Sequence, residues 1–82
     1  MPNKATRKAP QYPKAQGSRS GCKVSFLYYT SEADAKLASV EAEREAARMF
    51  ALGYDFGYVF PGDIRQPTAE GPHAEMYEVV IP

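Results

Sequence analysis

Eighty-two residues with a formal net charge of zero, 44% of them hydrophobic and 24% charged, leave room for one small domain. A single cysteine, Cys22, and a single histidine, His73, exclude an intrachain disulfide and leave a structural zinc site without its usual ligands. No apolar run approaches the ~20 residues that cross a bilayer, and the basic N-terminus has no signal-peptide-like apolar core. The chain therefore reads as soluble and cytoplasmic, the lone thiol fitting a reducing compartment. A core this small gains from an added staple, and oligomerisation is the one still open to it.

The zero total hides a segregation. Residues 1–23 carry Lys4, Arg7, Lys8, Lys14, Arg19 and Lys23 and no acidic residue, while Lys36, Arg44, Arg48 and Arg65 face all ten acidic residues in 24–82. Residues 1–22 also hold Pro2, Pro10 and Pro13 and little that is apolar. Such a segment buries too little to offset the entropy of ordering it and reads as a flexible basic tail. The folded domain is expected over 23–82.

Lys23–Thr30, KVSFLYYT, alternates and is rich in β-formers, which predicts a strand. Ser31, with Asp34 three residues on, opens a helix expected over 32–52; the stretch is rich in Ala, Leu, Met and Phe and stops at Gly53. Leu37, Val40, Ala47, Phe50 and Ala51 fall near one face, and Glu45–Arg48 is a favourable neighbour pair. Tyr54–Phe60 places a ring at every even position and predicts a second strand, closed by Pro61-Gly62. After a Pro/Gly-punctuated loop, Ala74–Ile81 predicts a third. The expected fold is α+β, β-α-β-β: a three-stranded mixed sheet with a parallel crossover and one helix on one face.

Strand alternation puts Val24, Phe26, Tyr28, Tyr54, Phe56, Tyr58, Phe60, Tyr77, Val79 and Ile81 on one sheet face. Under an alanine-rich helix these rings make a volume-matched core. The rival reading, rings stacking on bases, suits poorly a strand with Asp55 among its rings and no interleaved cation. The second face would expose Leu27, Tyr29, Val59, Met76 and Val80, an apolar surface expected to be an interface, by default a homodimer.

Chemistry is sparse. Cys22 and His73 precede strands predicted to run antiparallel, so they belong at opposite sheet ends and make no nucleophile–base pair. The helix start at Thr30 and Ser31 could take an anion with Arg65 and His73, but Glu32, Asp34 and Asp63 crowd it. Glu32, Asp34, Glu41, Glu43 and Glu45 read as a solvated helix face before they read as a nucleic-acid mimic. No catalytic residue, metal ligand or cofactor is assigned. The expectation is a non-enzymatic binding protein that dimerises or docks through its open sheet face. Its tail cations Lys4, Arg7, Lys8, Lys14, Arg19 and Lys23 would contact nucleic acid without sequence readout. The alternative is a protein-directed module, of the kind phages and mobile elements use as inhibitors or adaptors, binding through the acidic helix or that sheet face.

Overall fold

The computed structural model describes residues 9–82. The fold is α+β: β1 (Gly17–Ser20), β2 (Ser25–Tyr29), α1 (Glu32–Ala51), β3 (Ile64–Arg65) and β4 (Tyr77–Ile81). The sheet is four-stranded in the order β1-β2-β4-β3, and every pairing is antiparallel. This corrects the expected three-stranded mixed sheet. β2 and β3 do run in the same direction across the α1 crossover, but β4 lies between them. Among the described residues no helix is long and apolar enough to cross a membrane.

The extra strand, GSRS, comes from the stretch assigned to the tail and pairs as a hairpin with β2, Arg19 opposite Phe26. The residues before it are tied down as well. Tyr12 and Ala15 pack on the helix-side core, Tyr29 donates its hydroxyl to the Pro13 carbonyl at 2.7 Å, and Gln16 N–H bonds the Tyr28 carbonyl at 2.8 Å. Residues 11–16 thus form a strap along α1 and the end of β2. Lys4, Arg7 and Lys8 lie outside the described residues.

α1 starts and stops as its caps dictate. The Ser31 hydroxyl accepts the Asp34 N–H at 3.2 Å, Glu32 and Asp34 sit in the first turn, and Arg48 sits in the last. Lys36–Glu32, Arg44–Glu41 and Arg48–Glu45 form pairs along its surface, the last as expected. Its buried face is Ala35, Ala38 and Ala42. Small side chains suit this face because the sheet beneath it is bulky: Tyr29 and Val79, with Leu27, Ile64, Tyr77 and Ile81 around them. Leu37 and Val40 point away and are 61% and 54% exposed.

The predicted strand 54–60 is absent: the segment is irregular, with a turn at Gly57 and Tyr58. The Asp55 carboxylate accepts the Gly57 N–H at 2.8 Å, and Gly57 has φ +77°. That side-chain turn takes over an amide a ladder would need, and a left-handed glycine turns the chain out of line. The segment folds over the sheet face opposite α1, where Phe56, Val59 and Met76 pack against Val24, Phe26, Tyr28 and Val80. The apolar patches on both sheet faces are therefore covered.

The strap predicts an alkaline weakness. Burial first, then the nearby carboxylates of Glu45 and Glu41, pushes the Tyr12 phenol from 10.0 up to about 12. Burial also raises Tyr28 and Tyr29. A phenol that ionises later in the folded state contributes stability that is intact below its unfolded value and is lost as pH climbs to the folded one. The melting temperature should thus fall between about pH 10 and pH 12, and Tyr12→Phe should flatten part of that fall. A melting temperature constant through this window refutes the packing of Tyr12 in the strap.

Candidate functional site: a polar row and an aromatic crest

Each strand contributes one polar side chain to a row across the face opposite α1. Tyr28 on β2 stands opposite Glu78 on β4, and Glu78 stands opposite Arg65 on β3. Arg19 on β1 reaches in diagonally. Tyr28 donates its hydroxyl to Glu78 Oε2 at 2.7 Å and accepts from Arg19 Nε at 3.1 Å. Arg65 Nη1 lies 3.2 Å from Glu78 Oε1, and Arg19 Nη2 lies 3.5 Å from Oε2. One carboxylate thus holds two guanidiniums, each with donors to spare. The His73 ring stacks on Tyr28 at 3.7 Å and 7°, and Arg19 Cζ sits 4.2 Å above the Phe26 ring. With the 66–72 loop these groups line a cleft of about 360 Å³. Its chemistry is that of a cross-strand ion-pair ladder with an open hollow beside it.

The second feature is apolar. Phe50, Leu52, Tyr54, Tyr58 and Phe60 are all exposed, Tyr58 completely, at 101%. They occupy one run from the end of α1 through the 54–60 segment, whose inward anchors are Phe56 and Val59. The four even-numbered rings therefore divide: Phe56 packs inward, and Tyr54, Tyr58 and Phe60 face outward. This corrects their expected place under the helix. A hollow of about 360 Å³ beside the crest is lined by Val24, Phe26, Phe56, Gly57, Tyr58 and Val59, with Cys22 and Lys23 at its edge. The Lys23 ammonium lies 3.5 Å from the Asp55 carboxylate. The Gly57 amide first, then Lys23, holds that carboxyl below the usual carboxylate range.

The five expected interface residues do not share a face. Leu27 and Tyr29 belong to the helix-side core, whereas Val59, Met76 and Val80 belong to the opposite one. Tyr29 and Val80 are fully buried. The register explains this: Leu27 pairs with Val79 and Phe26 with Val80, so the two strands alternate in the opposite phase to that assumed. Among the described residues no open apolar sheet face remains; the large exposed apolar side chains lie on the crest and on the outer side of α1.

The tail cations within the described residues do not converge either. Lys14 is exposed, Arg19 is engaged with Phe26, Tyr28 and Glu78, and Lys23 is paired with Asp55. The suggested anion site is not assembled. The Thr30 N–H goes to Gln16 Oε1 at 2.9 Å, and Arg65 and His73 belong to the cleft on the other face. Cys22, exposed, and His73 line separate hollows. Sequence reasoning missed the polar row, since only register aligns Arg19, Tyr28, Glu78 and Arg65. The crest had a readable signal in the Asp55-Phe56-Gly57 turn. No protein-family model matches the chain, and no curated protein or solved structure is significantly similar to it.

Proposed function

We propose that the chain is a non-enzymatic, protein-directed binding module that docks through its aromatic crest. The observation that carries this reading is the exposure of Phe50, Leu52, Tyr54, Tyr58 and Phe60 in one eleven-residue run. Folding leaves these groups in water although Phe56 and Val59 of the same segment are packed, and exposed apolar groups concentrated in this way mark interaction sites. Tyrosine and phenylalanine supply large contact areas at small entropic cost and dominate interface energetics. The polar row then serves to hold the sheet that presents the crest.

The test compares the chain purified under native conditions from cells that express it with two variants, Tyr58→Ser/Phe60→Ser and Arg65→Gln. One protein should co-purify with the unaltered chain and with Arg65→Gln, and should be lost from the crest variant while its circular dichroism is unchanged. Retention by the crest variant sinks the reading.

A second reading rests on the charge segregation, with the residue 1–23 cations holding a nucleic acid. Deleting residues 1–22 is a poor test because β1 goes with them. The better variant replaces Lys4, Arg7, Lys8 and Lys14 by Gln. If the reading holds, fluorescence anisotropy should show affinity for duplex DNA falling steeply with salt, and in the variant that slope should shrink by roughly 0.9 for each phosphate no longer neutralised. Equal affinity and slope for both proteins would exclude it.

A further inference from the structure

We propose that the outer face of α1 is a self-complementary seam through which two copies of the chain pair as an antiparallel helix dimer. This does not rest on the crest reading, although Phe50 borders both surfaces. The inward face of the helix is all alanine. Its outward face carries Ala33, Leu37, Val40, Arg44, Ala47 and Ala51, at alternating spacings of four and three. That is the a/d spacing of a coiled-coil seam. All six are exposed, and among the described residues nothing covers Leu37 or Val40. A helix docked only through its inner face has no use for this second apolar line.

The occupant follows from the flanks. Asp34, Glu41 and Arg48 run along one side of the seam, and Lys36, Glu43 and Phe50 along the other. When a second copy is laid antiparallel, Leu37 falls opposite its Ala47, Ala33 opposite its Ala51, and Val40 against the aliphatic stem of its Arg44. Leu37 thus meets a small residue, and the outermost layer is alanine on alanine. Asp34 then meets Arg48 of the second copy, and Lys36 meets its Phe50, which is 72% exposed and a ready face for an ammonium. By two-fold symmetry each contact occurs twice. The central Arg44, 71% exposed and paired with Glu41 in its own helix, comes within reach of Glu41 and Glu43 across the axis. In the parallel arrangement Arg44 would face its own copy, and the helix dipoles would align unfavourably.

Sedimentation of the full chain over a concentration series tests this. The expected result is a monomer–dimer equilibrium. Leu37→Glu/Val40→Glu should weaken it at least about tenfold while the melting curve is preserved, because both side chains are exposed. Asp34→Lys alone should weaken the dimer, and Asp34→Lys/Arg48→Glu should restore it, as only an antiparallel register brings these positions together. Tyr58→Ser, in a separate hollow, should leave the dimer intact. A chain monomeric up to roughly 1 mM, a dimer indifferent to the seam variant, or a charge swap that fails to restore would each overturn the proposal.

Discussion

Replacing Tyr29 by alanine is expected to unfold the domain. Tyr29 has no exposed surface and packs against Ala35, Ala38 and Val79, with Tyr12 and Ala15 of the strap alongside. Truncating a buried aromatic to alanine costs about 3–5 kcal/mol. A domain of this size has a total stability toward the lower end of about 5–15 kcal/mol. The same change also removes the hydroxyl that holds Pro13, so the strap loses its anchor together with the core. Far-UV circular dichroism and amide dispersion should show a largely unfolded chain at 25 °C. Tyr29→Phe isolates the hydrogen bond and should cost only about 1 kcal/mol. A cooperative, near-native melt for Tyr29→Ala would mean that the helix is held to the sheet by other contacts.

Gly62→Ala should be the next most damaging change. Gly62 is buried and has φ +102°, where side chains are strained. Its N–H donates to the Val80 carbonyl at 2.7 Å, and its own carbonyl accepts the Ser39 hydroxyl, which joins the loop to both β4 and α1. A Cβ at this position would collide with the Glu43 side chain. Backbone strain alone is worth about 1–3 kcal/mol, and the collision adds to it. Chemical denaturation should show a loss in that range, and Glu43→Ala in the Gly62→Ala background should recover the steric part only. Complete recovery would show that the positive φ is not required.

These two positions also mark what the sequence disclosed. The helix could be read because its signals are local: Ser31 caps it and the run breaks at Gly53. The apolar alternation of 24–29 and 76–81 likewise revealed the two central strands. What failed depends on distant partners. Gly17–Ser20 has no apolar residue to announce a strand and exists because β2 offers it an edge. The even-numbered rings of 54–60 imitate a strand, and the hydrogen bond from Gly57 to Asp55 breaks the imitation. Face assignment needed the phase of β4 relative to β2, which no single strand encodes. The same phase hid the Arg19–Tyr28–Glu78–Arg65 row and produced a five-residue interface that does not exist as a surface. In the helix, the large residues were natural core candidates, but Tyr29 and Val79 already fill the space and leave room only for alanine.

The central pairing of β2 with β4 has a kinetic consequence. Its contact between Tyr28 and Glu78 joins positions 50 residues apart, with the helix and both long connections inside the loop that must close. Only the β1–β2 hairpin and α1 are local, and a helix in a protein draws most of its stability from docking one face. The entropy of that closure must be met before the docking floor for the alanine face exists. The barrier to folding should therefore lie in bringing β4 home, which places the chain among the slower small domains, on a timescale of about milliseconds to seconds. Until that closure occurs the aromatic segment has no sheet to cover, so the newly made chain carries its stickiest surface unfolded for longest.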